Sequence, residues 1–409
     1  MALVATACSH PNRATQLRVA NATPPLVQHS DPKLVDFMIE PTTPLVLASA
    51  TTELGIHVRI EGRGLPAAKR PPLDLALVLD TSGSMEGAAI EALRSSARQL
   101  VGKMRDGDRL AIVAFHSRAE VLVPNAPLDA TSRAAALKAI DAIVARGTTD
   151  LQAGLQVGLQ QVALGQQQNG INRIVLLSDG VPNAAEVLPA LLTNIRQYGF
   201  AVTSLGLGVD YDTTLMTRVA SETGGSFHYI EKPEQLAAVF DDELVKMTTV
   251  VGRNLHLILA PGPGVTIEPM AGFTPAGNGQ VYATIGDLSA GAVRDLMIPI
   301  KVTARADGST AELVDATLSF DDVIGQSGRQ QRSGFASARS SRDQAAVTGA
   351  VKVDLEVARV RAAAASAILE AMALARQGQI EPAKKRLAAA AVMVRAAATR
   401  LKTAELDAL

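Results

Sequence analysis

The sequence predicts an α/β protein in which a mostly parallel sheet, covered by helices on both faces, is inserted into a β-sandwich and followed by a helical hairpin. Three observations carry this expectation. Residues 73–250 alternate continuous apolar runs with amphipathic helical patterns, as strands buried on both faces require. Strand-like runs without intervening helices lie on either side of that block, at 43–64 and from 251 onward. The C-terminal part is alanine-rich and helical in pattern, with one clear break.

Composition narrows the possibilities. At 409 residues the chain exceeds what one core usually supports, so several domains are expected. With 47% hydrophobic and 19% charged residues and a net charge of −1, it reads as globular, with no basic excess directed at nucleic acid or an anionic membrane. Aromatic residues make up 3% and Trp is absent, which argues against stacking platforms for bases or sugars. A single cysteine, Cys8, excludes an intrachain disulfide framework and a cysteine-based zinc site. No apolar run reaches the roughly 18 residues that span a bilayer. "LVATAC", ending at Cys8, resembles a lipoprotein cleavage box but lacks a basic leader and an apolar stretch. The expectation is therefore a cytoplasmic protein, with lipid anchoring or secretion as the alternative if the start hides a signal peptide.

Residues 1–40 show little periodicity and read as an N-terminal tail. "TPLVLASATTELGIHVRIEGRG" then has the alternation of strands. "LDLALVLD" (73–80) is a buried strand, and the next helix places Ile90, Leu93, Ala97, Leu100, Val101 and Met104 on one face. "DRLAIVAF" and "EVLVP" flank a tight turn and suggest a hairpin. A helix with Leu137, Ile140, Ile143 and Val144 on its apolar face follows, then "DLQAGLQVGLQQVAL" as another helix. "RIVLLSDG", "FAVTSLGLG" and "SFHYI" are further strands separated by helices, and "PEQLAAVFDDELVKM" closes the block. The acidic run within it, 241–244, is expected to face solvent.

From 251, "RNLHLILAPGPGV", "GQVYATIGDL", "VRDLMIPIKVTAR" and "AELVDATLSF" are strands separated by Gly, Pro and Asp turns. They suggest a β-sandwich completed by the strand segment that precedes the α/β block. The polar stretch 325–345 reads as a linker. In the C-terminal hairpin, Gly378 suits a helix C-cap and Pro382 the first turn of the next helix. Leu387, Ala391, Val394, Ala398 and Leu401 form its expected apolar stripe, either packed on the chain or docked on a partner.

Candidate chemistry lies where the first buried strand stops. In "DTSGSM", Asp80, Ser82 and Ser84 occupy alternate positions and point the same way in an extended loop. "RGTTDLQAGL" presents Thr148, Thr149 and Asp150 before a helix, and "LLSDG" presents Asp179 at the end of another buried strand. In a parallel sheet all three loops share the carboxyl-end edge, where α/β proteins gather their sites. Two carboxylates with hydroxyls suit a hard divalent cation, Mg²⁺ or Mn²⁺. Neutral hydroxyls leave such an ion electrophilic and open to an external carboxylate.

The ordered set "DTSGSM … GTTDLQAGL … LLSDG" resembles the von Willebrand factor type A (vWA) domain, a Rossmann-like fold, and its metal-ion-dependent adhesion site. The resemblance implies Asp80, Ser82, Ser84, Thr149 and Asp179 as metal ligands. Thr149 rather than Thr148 is implied because it precedes Gly154 by five residues, as in the family. The wider arrangement resembles bacterial vWA proteins related to calcium-activated chloride-channel-like proteins. The implied domains are a tail at 1–40, a sandwich from 41–70 and 251–324, a vWA domain at 71–250, a linker at 325–345 and a helical hairpin at 346–409.

The resemblance implies a protein-interaction module without catalysis, whose metal is completed by an acidic residue of a partner. A scaffold subunit of an AAA+ ATPase complex is the alternative within that class. An aspartyl-phosphate phosphatase, with Asp80 as nucleophile and Asp179 as a Mg²⁺ ligand, is the rival from another class. It expects an acid at Ser82 or a lysine at Thr81, and another acid soon after Asp179, none of which the chain provides. The six histidines, His10, His29, His57, His116, His228 and His256, lack metal-ligand spacing. "GLGVDY" lacks the third glycine of a dinucleotide loop, and neither a phosphate-binding loop nor a G-x-S-x-G elbow occurs.

Overall fold

The structure is a computed structural model that describes residues 34–64, 70–167, 170–180, 188–209, 211–270 and 272–407. Cys8, His10, His29 and most of the expected tail lie outside the described residues.

The α/β part is built on a six-stranded sheet. Its order from edge to edge is Ala119–Pro127, Arg109–Phe115, Leu73–Asp80, Ile171–Ser178, Ala201–Leu207 and Phe227–Ile230. All neighbours are parallel except the edge hairpin formed by Arg109–Phe115 and Ala119–Pro127. Every residue of Leu73–Asp80 and Ile171–Ser178 is buried, because helices cover both faces. Leu75, Leu77 and Leu79 pack toward helices Ala88–Lys103, Ala130–Asp141 and Leu236–Thr248. Ala76 and Val78 pack toward Leu151–Gly165, Leu188–Gln197 and Thr213–Thr223.

This topology creates a particular crevice. From Leu73–Asp80 the chain first builds toward one edge, then returns to add Ile171–Ser178 on the other side. The carboxyl ends of these two strands therefore flank the point where strand order reverses, the usual ligand crevice of open parallel sheets.

Close helix packing sets the second loop at that crevice. A Cβ on Gly158 would lie 2.4 Å from Val78 Cγ2, and one on Gly154 would lie 2.6 Å from the Phe115 ring. Helix Leu151–Gly165 thus lies tightly on the sheet, with Asp150 capping it through Ala153 N at 3.0 Å. The preceding helix ends at Asp141, earlier than its apolar pattern suggests, because the chain turns away to build the loop at 146–150. Ile143 remains buried there, whereas Val144 is exposed.

The sandwich consists of a four-stranded and a six-stranded sheet sharing one core that includes Val58, Ile60, Leu257, Ile300 and Phe320. Two expectations need correction. Val35–Pro41, of which 35–40 fall in the expected tail, is a strand paired antiparallel with Thr52–Gly62. Residues 328–341, assigned to the linker, form a strand paired along its length with Thr310–Asp322. Only small or polar side chains of this segment turn inward, Gln330, Ala336, Ala338 and Ser340, so no apolar alternation marked it. The helix Leu236–Thr248 runs directly into the sandwich strand Val250–Pro261, and a buried ion pair, Arg173–Asp287 at 2.7 Å, ties the two parts together.

Helices Val353–Arg376 and Ile380–Leu401 form the C-terminal hairpin. Gly378 ends the first with φ 77°, Gln379 N donating to Leu374 O at 2.9 Å and Gly378 N to Ala375 O at 3.0 Å, a Schellman cap. The seam differs from the expected stripe. Val394 and Ala398 are buried alongside Ala383, Ala390 and Ala397, while Leu387 is 44% exposed. Alanines on both helices permit close approach and take the seam, leaving the larger Leu387 at its flank. Among the described residues, no helix is long and apolar enough to cross a membrane.

Candidate metal centre

The three sequence-predicted loops meet at the crevice. Asp80 ends the central strand fully buried, its Oδ1 accepting from Ser82 N at 2.8 Å and its Oδ2 from Ser178 Oγ at 2.6 Å. Ser82 Oγ lies 3.0 Å from Ser84 Oγ, and Ser84 Oγ donates to Asp179 Oδ1 at 2.7 Å. Asp80, Ser82, Ser84 and Asp179 are therefore one connected oxygen cluster. Burial decreases from Asp80 and Ser82 to the exposed Ser84, so the cluster opens toward solvent from a buried base.

Backbone contacts hold the loops in register. Thr81 N donates to Phe115 O at 2.8 Å, Arg146 N to Thr81 O at 2.7 Å and Gly83 N to Gly147 O at 3.0 Å. Asp150 N donates to His116 O at 2.7 Å. Fully buried Met85 anchors the far end of the first loop in the core. Side chains at 80, 82 and 84 are thereby fixed by neighbouring backbone rather than by one another alone.

The two threonines of the second loop differ. Thr148 is exposed and its Oγ1 donates to Ser117 Oγ at 3.2 Å. Thr149 is buried, and a Cβ built on Gly180 would lie 2.8 Å from Thr149 Oγ1 and 3.6 Å from Ser84 Oγ. Thr149 and Ser84 thus approach the same glycine beside Asp179. Asp150 is committed to capping its helix.

Burial pushes the Asp80 carboxyl above its ordinary range, against hydrogen bonds from Ser178 and Ser82 that favour the ionised form. A carboxylate kept in such a place needs a counter-charge. The donor set is oxygen only, two carboxylates and three hydroxyls, which fits a hard divalent cation and not a soft one. Among the described residues no three His, Cys, Asp or Glu side chains converge, so any metal here depends on the hydroxyls.

Residues 74–242 match the family model described as the von Willebrand factor type A domain. This chain carries a vWA domain. The uncharacterized protein sll0103 of Synechocystis is 30% identical over 230 residues, which are 55% of this chain and 54% of that protein. The chain thus spans about half the length of this curated relative. A solved von Willebrand factor type A protein from Catenulispora acidiphila superposes with a TM-score of 0.72 at 19% identity, over 91% of this chain and 89% of that one. The ArnB paralog VWA2 of Sulfolobus acidocaldarius gives 0.58 at 18% identity, over 91% and 92%. At these identities the structures show a shared fold that extends beyond the vWA domain to most of the chain.

Two buried polar positions near the sheet are not marked by the sequence pattern. Ser178, the buried donor to Asp80, stands just before Asp179 in "LLSDG", where the apolar run marks it as strand and nothing local marks its bond to Asp80. Glu243, expected to face solvent with the rest of 241–244, is buried in the last vWA helix. It accepts from Thr203 Oγ1 at 2.8 Å, pairs with His228 at 2.9 Å and accepts from Lys246 Nζ at 2.9 Å. Burial raises its pKa, but these partners outweigh burial and hold it at about 2. Its i,i+3 spacing to Lys246 was visible, whereas the partners on other elements were not.

The described histidines have partners of their own. His57 lies 2.8 Å from Asp295 Oδ1, His256 bonds the Tyr282 hydroxyl, and His116 Nδ1 accepts from Ser117 N at 2.8 Å.

Proposed function

We propose that the vWA domain is a metal-dependent protein-interaction module with a metal-ion-dependent adhesion site. Asp80, Ser82, Ser84, Thr149 and Asp179 would hold Mg²⁺ or Mn²⁺ directly or through water. The bound ion supplies an electrophilic position for an Asp or Glu carboxylate of a partner protein. The observation that carries this reading is the linked oxygen cluster at the strand-order switch point, with a fully buried carboxylate at its base.

The chain's own part is positioning and charge. Ser178 orients Asp80, Thr81 and Gly83 pin the first loop to the second, and the hydroxyls add no negative charge that would repel an acidic partner. Burial of Asp80 weighs against the phosphatase alternative, since a nucleophile needs an accessible oxygen and both of its oxygens accept hydrogen bonds within the protein. The reading is accordingly binding without catalysis.

The test is calorimetric titration of Mg²⁺ and Mn²⁺ into metal-free wild type and Asp80→Ala, with a phosphatase assay on the same samples. Saturable binding lost in the variant, without turnover, supports the reading. Equal heats in both proteins, or turnover that requires Asp80, would overturn it.

A further inference from the structure

The outer side of the C-terminal hairpin bears a groove of about 640 Å³ between its two long helices. Ala364 and Ile368 form one wall, Leu387, Ala391, Arg395 and Thr399 the other. Ile368 and Leu387 are 49% and 44% exposed and line the groove from opposite helices, so their apolar surface is contiguous with the alanine floor. The alanine floor lets another backbone come close, and the wall from Leu387 to Thr399 is about 18 Å long at 1.5 Å per residue, three turns of helix.

The second long helix of the groove is predominantly basic. Residues 380–402 contain six basic side chains and one acidic, in a chain whose net charge is −1. Arg395 lines the groove, and Arg361 lies one turn before Ala364 on the opposite wall. Among the described residues neither arginine makes an ion pair, whereas Arg386 is paired with Glu370 and Arg400 with Glu356. An apolar trough between basic rims is complementary to a helix with an apolar stripe and acidic flanks.

We propose that this groove docks an acidic amphipathic helix of a partner protein, about three turns long. A flat anionic membrane fits less well, because the apolar surface lining the site is a concave groove between two helices. The site is separate from the vWA oxygen cluster and needs no metal.

Fluorescence anisotropy of the full chain with a labelled 18-residue peptide tests this, using leucines at i, i+3, i+4 and i+7 spacing and glutamates elsewhere. A second peptide carries lysine in place of every glutamate. Saturable binding of the glutamate peptide alone is expected, unchanged by chelator. Leu387→Asp should weaken it more than tenfold, and Arg395→Glu several-fold with a flatter salt dependence. Both positions are exposed, and circular dichroism with melting confirms that the variants fold. Binding of neither peptide, or of both equally, overturns the proposal. So does a wild-type dimer in light scattering that Leu387→Asp dissolves, or flotation with phosphatidylserine vesicles that the same change abolishes.

Discussion

The central strand of the vWA sheet carries a buried aspartate at each end, and the two have different fates. Asp74 and Asp80 are both fully buried, on the strand face that also presents Ala76 and Val78, and burial raises the pKa of each. At the amino end, Asp74 Oδ1 accepts from Asn125 Nδ2 at 2.6 Å while its Oδ2 has no hydrogen-bond partner among the described residues, and this bond with the attraction of Arg109 only partly offsets burial. At the carboxyl end, both Asp80 oxygens are hydrogen-bonded and two serines and a second aspartate adjoin them. Burial of a carboxylate therefore does not by itself make a site. Convergent neutral donors at the loop edge of the sheet distinguish Asp80, and the loops can converge only at the carboxyl end, where strand order reverses.

The sharpest way to break this contrast is to exchange the chemistry of each aspartate. Asp80→Ala should lower Mn²⁺ affinity by more than about 100-fold, whereas Asp74→Asn should leave it within about twofold, both measured by calorimetry. Equal losses would mean that the two carboxylates act through fold stability alone. Ser178→Ala comes next. It removes the 2.6 Å donor to Asp80 while leaving all five proposed ligand side chains in the sequence. An expected loss of about 10–100-fold in metal affinity follows from the role of such outer partners. A melting temperature that falls by itself, with affinity intact, would place Ser178 in packing only.

Asp74 provides a pH test of opposite character. Its folded pKa is about 6 against an ordinary 3.8, so the folded state retains a proton that the unfolded chain releases. Stability is consequently lost as pH rises from about 4 to about 6, and the penalty is constant above that. Asp74→Asn should gain about 1–2 kcal/mol in urea unfolding at pH 8 and nearly nothing at pH 4. A gain independent of pH would show that the charge is not its source. Glu243, held at about 2 by His228 and Lys246, has the reverse linkage: its contribution is present above pH 4.5 and lost as pH falls toward 2.

What the sequence disclosed follows the same division between local and convergent information. Leu73–Asp80 and Ile171–Ser178 were legible because a strand buried on both faces is continuously apolar, and the oxygen cluster was legible because its residues stand at strand ends within short motifs. The strand Gly328–Ser341 was hidden, since its inward side chains are alanine, serine and glutamine and its identity comes from pairing with Thr310–Asp322. Glu243 was hidden for a related reason. Acidic neighbours suggest a solvated face, and only the arrival of Thr203 and His228 from separate strands makes burial tolerable. The exposed Leu387 shows that helical periodicity identifies an apolar stripe but not which alanine takes the seam.

The choice between adjacent threonines provides the smallest and most local test. Both hydroxyls stand in the same loop, yet Thr148 Oγ1 is engaged with Ser117 while Thr149 Oγ1 approaches Gly180 beside Ser84. Gly180→Ala would place a Cβ 2.8 Å from Thr149 Oγ1, too close for both to keep their positions. Because a threonine side chain has one rotor and is buried here, it must turn away from the cluster or shift its loop. A displacement costing about 1 kcal/mol corresponds to roughly fivefold weaker Mn²⁺ binding. Thr149→Ala should reproduce that loss, and Thr148→Ala should not. If Gly180→Ala binds like wild type while Thr148→Ala is impaired, the fifth oxygen comes from Thr148, and the loop must turn about Gly147 when metal binds.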